Sequence, residues 1–145
     1  GQFNFYADCC STAVAKVEDA LDLERLAVGD SLHMHLRTEL EANNVLYASH
    51  AKCIYDFNRE SSVHSKIKNA PNTSKARYIT EDVPYLFVPF CELADLCGVD
   101  VPIAKALVTI ASYYNDENYM KTGRTLAKMG FNHWTKQEIL EFLEA

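Results

Sequence analysis

The stretch VPFCELADLCGVDVP, residues 88–102, decides the fold class. Its apolar residues recur at the three- and four-residue spacing that places side chains on one face of an α-helix: Pro89, Phe90, Leu93, Ala94 and Cys97. Gly98 suits the left-handed end of that helix, and Pro102 suits the first turn of the next one. The stretch therefore predicts two consecutive helices joined by a short turn.

The same spacing extends over most of the chain, without a clear strand alternation or an internal repeat. It predicts further helices over 12–28, 31–57 with a break at Asn43-Asn44, 62–68, 119–129, and after the capping box at 135–138. Gly29 and Gly130 are predicted to end two of these helices, and Asn69–Ser74 is predicted to be a loop. We therefore expect an all-α multi-helix bundle that forms one single domain over residues 1–145.

Composition narrows the class of protein. With 145 residues, 48% hydrophobic and 23% charged, the chain suits a globular domain. Its net charge of −6 argues against nucleic acid or an anionic membrane as a partner, and no apolar run approaches the length of a membrane span. Five cysteines without C-x-x-C spacing indicate reduced thiols in a cytoplasmic protein. Histidine and cysteine pairs lack a third ligand at matching spacing, so we expect no metal site.

The stretch RYITEDVPY, residues 77–85, is the strongest candidate for a site. It brings Arg77 and two carboxylates together just before Pro84, a residue that suits the start of a helix. In the simplest interpretation Thr80 or Asp82 caps that helix, and the other charged side chains are solvated. In the alternative interpretation the segment binds or converts a small molecule.

The same stretch resembles the signature of the opine dehydrogenases, the octopine/nopaline dehydrogenase family. The similarity covers nearly all of the chain, and 77–84 is its most specific part. It continues in register on both sides: Phe5-Tyr6, 17–25, Val88-Pro89, Leu93-Ala94, Leu96, Gly98-Val99, Pro102, Gly123–Leu126 and Gly130.

This resemblance implies a fold and a reaction. In that family a Rossmann domain binds NAD or NADP, and an all-helical C-terminal domain, like that of 6-phosphogluconate dehydrogenase-type enzymes, supplies the substrate site. The reaction condenses an amino acid with a 2-oxo acid and reduces the imine to a secondary-amine dicarboxylate. The resemblance implies that Arg77 binds a substrate carboxylate, and that Asp82 orients a catalytic histidine and stabilises its protonated form.

Two further residues are candidates for substrate binding. Tyr85 is placed to line a pocket, although a buried tyrosine with a bonded hydroxyl is the commoner outcome. Arg124 belongs to the family-like pattern, and for its side chain a substrate contact and a structural ion pair are both open.

The chain also departs from the family. Its five glycines cannot form G-x-G-x-x-G, so no cofactor-binding residues are expected here. The family's catalytic histidine precedes the matching region, and no histidine of this chain matches it: His33, His35, His50, His64 and His133. We therefore expect a substrate-binding domain cut from a longer enzyme, without the Rossmann domain and inactive in isolation.

Two other interpretations remain open. The first is the C-terminal domain of a 2-hydroxyacid-type dehydrogenase, although such enzymes typically use a catalytic lysine and no lysine here stands out. The second is a helical interaction or dimerisation domain, for which the apolar residues of Ile139–Leu143 are suited. A homodimer is compatible with both the enzyme and the interaction domain.

Overall fold

The computed structural model describes residues 3–68 and 70–144, which leaves Asn69 of the predicted loop outside the described residues. Within those ranges the chain forms helices and turns and contains no strand. The prediction of an all-α fold is confirmed. None of the described helices combines the length and the apolar character needed to cross a bilayer.

The α-helices differ greatly in length. In chain order they are α1 (Phe5–Cys9), α2 (Thr12–Ser31), α3 (Glu39–Leu46), α4 (Ile54–Glu60), α5 (Arg77–Thr80), α6 (Val88–Cys97), α7 (Pro102–Asn115), α8 (Tyr119–Thr122) and α9 (Lys136–Glu144). A 3-10 turn, His64–Lys66, follows α4, and a π-helical turn, Val83–Phe87, leads into α6.

The chain divides into two compact units. The first comprises the residues up to Leu26 together with His35–Asn72, and the second comprises Ala27–Met34 together with the residues from Thr73 onward. Compact units of this size also occur inside single domains, so the expectation of one domain over residues 1–145 stays a prediction.

The core of the first unit is built around α4. Ile54 and Phe57 are almost fully buried, against Cys10 and Ala15. The His64 ring stacks on Tyr6 at 4.3 Å between ring centroids and meets the faces or edges of Tyr47 and Phe57 at 5.0 and 4.9 Å. Aromatic packing therefore ties the 3-10 turn to the helices around it.

The core of the second unit lies between α6 and α7. The side chains that are at most 2% exposed there are small: Val88, Cys91, Ala94, Val101, Ala104, Val108 and Ala111. Small side chains allow two helices to approach closely. Gly98 ends α6 at φ 71° and Pro102 begins α7, as the sequence predicts.

Two predicted breaks are wrong because the residues there allow a helix end without requiring one. α2 passes through Gly29 and ends at Ser31, and it is His33, at φ 59°, that takes the left-handed conformation. α3 passes through Asn43-Asn44, and the Asn44 side chain instead stabilises the following turn by accepting from the N–H and donating to the C=O of Ala51, at 3.0 and 2.9 Å.

The helix predicted over 119–129 is shorter than expected, since α8 ends at Thr122. The Lys128 ammonium donates to the backbone oxygens of Thr122 and Gly123, both at 2.8 Å, so a lysine beyond the helix satisfies carbonyls that a longer helix would use itself. The capping box at 135–138 is confirmed: Thr135 N–H donates to Glu138 at 2.7 Å, and Glu138 N–H donates to Thr135 at 3.3 Å.

Candidate functional site

The candidate segment 77–85 runs through α5 into the π-helical turn Val83–Phe87. The turn is defined by the Val88 N–H, which donates to the C=O of Val83, five residues back. Val83 and Pro84 are buried, whereas the next residue, Tyr85, is 56% exposed. Single π-helical turns are rare and are frequent at functional sites, so the backbone here differs from an ordinary helix start.

Two prolines determine where this turn ends and how it is held. After the Val88 bond, the next bond in the π register would run from residue 89 to the C=O of Pro84, but Pro89 has no N–H to give. That C=O instead accepts from the N–H of Arg124 at 2.8 Å. The segment 123–126, which is distant in sequence, therefore completes the hydrogen bonding of the turn.

Gly123 lies against the same turn. A Cβ at this position would lie 2.8 Å from the Pro84 oxygen, 2.7 Å from the Tyr119 oxygen and 3.0 Å from Val88 Cγ2. Gly123 is at φ −65°, an ordinary conformation for any residue. Glycine is therefore needed here for the close approach of two backbones and not for an unusual dihedral angle.

Arg77, the predicted carboxylate-binding residue, is the first residue of α5. Its Nε lies 3.5 Å from Glu81 Oε2, and the two side chains are 76% and 58% exposed. An ion pair this exposed and this long contributes little to stability. The guanidinium is therefore held loosely and is available to another carboxylate.

Asp82, the predicted partner of a histidine, directly precedes the π-helical turn and is half-buried. Its side chain makes no capping bond to the turn, and it makes no hydrogen bond to the other described residues. The Thr80 hydroxyl donates to the C=O of Ala76 at 3.4 Å. The interpretation of Thr80 or Asp82 as a helix cap is therefore wrong, and the Asp82 carboxylate keeps its acceptors available.

Tyr85 lines a hollow of about 410 Å³ in the second unit, which we call the Asn115 hollow. Its lining residues come from the candidate segment and from the chain around the end of α7: Lys75, Thr80, Pro84, Tyr85, Asn115, Glu117, Tyr119 and Thr122. Arg77, Asp82 and Arg124 are not among them. Of the predicted site residues, the structure therefore places only Tyr85 in this hollow.

Asn115 is a residue of the hollow that the sequence analysis missed. It is 7% exposed, and its Nδ2 donates to the Ser74 C=O and to the Tyr119 hydroxyl, both at 3.0 Å. Its Oδ1 is buried and has no partner among the described residues. The signal was available: Asn115 continues the buried stripe of α7 at helical spacing after Ala104, Val108 and Ala111, where an apolar residue is the norm.

Arg124 is fixed through its backbone, which bonds Pro84. Its side chain is exposed and makes no ion pair with the described residues. The sequence leaves two roles open for this side chain, a substrate contact and a structural ion pair. Within the described ranges there is no partner for the ion pair.

The ionisable groups offer no metal centre in the described part of the chain, where no three histidine, cysteine or carboxylate side chains come together. His64 lies in the aromatic cluster of the first unit, where burial lowers its pKa from the usual 6.5. Nor do the described residues fit a nicotinamide dinucleotide, since they contain no strand and no glycine-rich turn leading from a strand into a helix.

Comparison of the sequence with known proteins assigns the chain to a family. Residues 1–115 match the family described as NAD/NADP octopine/nopaline dehydrogenase, alpha-helical domain, and the chain belongs to this family. The match includes the whole segment 77–85 and Asn115, whereas Arg124 lies beyond it. The resemblance found in the sequence is thereby confirmed.

Three individual relatives match most of the chain. Protein ocs of Agrobacterium vitis is 34% identical over 125 residues, which are 86% of this chain and 34% of the relative. Vitopine synthase of Allorhizobium ampelinum is 29% identical over 139 residues, 96% of this chain and 38% of the relative. An opine dehydrogenase of Arthrobacter is 26% identical over 142 residues, 98% of this chain and 39% of the relative. The chain thus spans between a third and two fifths of the length of these relatives.

Proposed function

We propose that this chain is the substrate-binding helical domain of an opine-dehydrogenase-like, NAD- or NADP-dependent oxidoreductase. The full-length enzyme acts on the CH–NH bond formed from an amino acid and a 2-oxo acid. The observation that carries the proposal is the complete segment 77–85, inside the range that matches the family, built on an unusual backbone turn. Relatives named opine dehydrogenase and vitopine synthase point to the same class of reaction.

In this proposal Arg77 binds a carboxylate of the substrates. A guanidinium presents a planar fork of donors that matches a carboxylate with two parallel, charge-assisted hydrogen bonds. The ion pair of Arg77 with Glu81 is weak, since the two atoms are 3.5 Å apart and both side chains are exposed. Replacing Glu81 by a substrate carboxylate therefore loses little free energy. Binding by two bonds also fixes the orientation of the bound acid.

Asp82 acts in this proposal on a histidine supplied by another part of the full-length protein. A carboxylate that accepts a hydrogen bond from one imidazole nitrogen fixes the tautomer and favours the protonated ring. The carboxylate of Asp82 is half-buried and not committed to a cap. Tyr85 and Arg124 complete the proposed substrate-binding set, Tyr85 from the lining of the Asn115 hollow and Arg124 from an exposed position.

The nucleotide belongs to a different part of the full-length protein in this proposal, because the described residues of this chain do not fit it. When bound there, NAD or NADP supplies the redox chemistry. The helical domain binds and orients the amino acid and the 2-oxo acid.

The test is a substrate screen of the full-length protein followed by one substitution. Turnover is followed by nicotinamide absorbance over pairs of amino acids and 2-oxo acids. Arg77→Ala is expected to lower kcat/KM strongly, because losing one partner of a desolvated charge pair costs about 2–5 kcal/mol. Arg37→Ala, a substitution of an exposed arginine in the first unit, is the matched control. Normal kcat/KM in Arg77→Ala, or no turnover with any pair, would count against the proposal.

We further propose a homodimer in the cytoplasm for the full-length enzyme. The apolar residues Phe142 and Leu143 of α9 are 57% and 53% exposed, which suits a helix face that meets a second subunit. Light scattering of the full-length protein tests this, and a monomer at micromolar concentration contradicts it.

A further inference from the structure

The π-helical turn Val83–Phe87 is an element with two possible hydrogen-bond registers. The Val88 N–H donates to the C=O of Val83, five residues back, whereas an α-helix would direct it to the C=O of Pro84, four residues back. The C=O of Pro84 accepts from the N–H of Arg124 at 2.8 Å. Because this bond satisfies the acceptor that the α register would use, it favours the π register.

The register of this turn decides where the residue before it points. A π-helical turn contains one more residue than an α-helical turn, so a change of register rotates the preceding chain by roughly 100° about the axis of α6. Asp82 directly precedes the turn and is half-buried. The π register therefore sets the direction in which the Asp82 carboxylate faces.

Glu92 holds the segment that supplies the Arg124 donor. Its Oε2 accepts from the N–H of Leu126 at 2.5 Å, and its side chain is half-buried. Glu92 lies on α6 one helical turn after Val88, so this charge-assisted bond ties the segment to the helix that continues from the π-helical turn. Two bonds on alternate residues, at Arg124 and at Leu126, thus fix the segment against one helix.

The chain after Leu126 is shaped by bonds among its own residues. The Leu126 C=O accepts from the N–H groups of Met129 and Phe131, at 3.1 and 2.9 Å. These bonds define a local turn but do not attach it to α6. The carboxylate of Glu92 provides that attachment, at the N–H with which the local turn begins.

We propose that Glu92 is a positioning residue of the enzyme. It holds the Arg124 N–H at the Pro84 C=O, and this bond keeps the turn in the π register and Asp82 in the direction that the reaction requires. The inference rests on the proposed function, in which Asp82 acts on a histidine from another part of the full-length protein. Glu92 acts through the backbone, without touching a substrate.

The test measures kcat/KM of the full-length protein with the pair of amino acid and 2-oxo acid that gives the fastest turnover. Glu92→Ala removes the acceptor and is expected to lower kcat/KM by about tenfold to a hundredfold, because misplacing a group at the reacting centre by about 1 Å can cost about a hundredfold in rate. Glu92→Gln keeps an oxygen acceptor for the Leu126 N–H and should stay within about threefold of the wild type.

A matched control removes a similar bond elsewhere in the second unit. Glu138 accepts from the Thr135 N–H at 2.7 Å in the capping box of α9. Glu138→Ala therefore loses a bond between a carboxylate and a backbone N–H, as Glu92→Ala does, but far along the chain from the turn. It should leave kcat/KM per folded molecule unchanged.

A double-mutant cycle separates positioning from a general loss of stability. If Glu92 acts through Asp82, then Glu92→Ala should lower kcat/KM less than about twofold in a protein that already carries Asp82→Asn. A loss of folded protein would instead lower the activity by the same factor in both backgrounds. A crystal structure of Glu92→Ala adds a measurement that does not need turnover, and in it the Val88 N–H is expected to donate to the Pro84 C=O.

The outcomes distinguish the two proposals. Wild-type kcat/KM in Glu92→Ala, equal factors in the two backgrounds, or a retained π-helical turn in the crystal overturns the role of Glu92 and leaves the enzyme class standing. Absence of turnover by the wild-type protein with every pair overturns the proposed function, and with it the role of Glu92 in the reaction.

Discussion

Single residues set the geometry around the π-helical turn. Pro89 cannot donate, Arg124 donates in its place, and Gly123 lets the two backbones come close enough for that bond. The presence of the family-like residues Gly123 and Arg124 is thus explained by the structure of the turn, without any role in binding. The Arg124 N–H stabilises the turn whether or not its side chain contacts a substrate.

Gly123→Ala should therefore destabilise the protein by about 1–3 kcal/mol, because the added Cβ would press on two backbone oxygens that have little room to move. The free energy of unfolding from urea titrations gives this value. Gly98→Asn is the matched control: Gly98 has φ 71°, a Cβ added there would meet no atom within 4 Å, and asparagine tolerates that conformation. The expectation fails if Gly123→Ala is as stable as Gly98→Asn.

Pairs of elements depend on buried polar contacts as well as on apolar ones. In the first unit Asn58 of α4 donates to Glu18 Oε2 of α2 at 3.0 Å. Burial, followed by the charge of nearby Asp19, raises the pKa of Glu18 above its ordinary value of 4.5. The Asn58 hydrogen bond acts in the opposite direction, but burial outweighs it and favours the protonated form of this carboxyl group.

This pKa shift predicts a pH dependence of stability. The folded state holds the Glu18 proton more tightly than the unfolded state, so the contribution of Glu18 to the free energy of unfolding falls as pH rises from 4.5 through its raised pKa. Glu18→Gln keeps an oxygen acceptor for Asn58 and removes the charge. The variant should lose less stability than the wild type between pH 4.5 and pH 7, measured by urea unfolding at each pH.

Glu41 provides a control of opposite sign in the same unit. Hydrogen bonds from the Thr38 backbone and hydroxyl lower its pKa, so its contribution to stability is present above pH 4.5 and is lost on acidification below that value. Glu41→Gln should weaken the loss of stability below pH 4.5 and leave the range above it unchanged. Equal pH profiles for Glu18→Gln and the wild type would contradict the assignment.

At the scale of the whole molecule, the chain contains the residues proposed to bind substrates but, within its described ranges, none that fit the nucleotide. The described residues form helices and turns throughout, and the chain spans between a third and two fifths of the length of its named relatives. The proposed reaction therefore needs a further part of the protein.

The 145-residue chain alone should show no nicotinamide-dependent turnover with any pair of substrates that the full-length protein converts. Absorbance assays of both proteins at equal concentration test this expectation. Circular dichroism of the short chain confirms that it is helical under the assay conditions. Turnover by the short chain would show that this chain itself binds the nucleotide and would contradict the proposed division of roles.

Sequence predictions are accurate where a feature depends on residues close together in the chain, and they fail where it depends on distant ones. The boundary between α6 and α7 was predicted because Gly98 and Pro102 act on their own backbone dihedrals. The end predicted at Gly29 is wrong, since a glycine permits a helix end without enforcing one, and the end predicted at Gly130 is wrong because α8 already ends at Thr122. The hydrogen bond from Asn115 to Ser74 could not be predicted, because the two residues lie 41 positions apart along the chain.

The sequence by itself determined the helical class, several helix ends and the family, because periodicity, caps and motifs each involve residues that are only a few positions apart. Only the tertiary structure decided that Gly123 meets Pro84, that Arg124 bonds the π-helical turn, and that Asn115 has an unpaired oxygen beside a hollow. These features depend on contacts between residues distant in sequence, and such contacts exist only once the helices have packed.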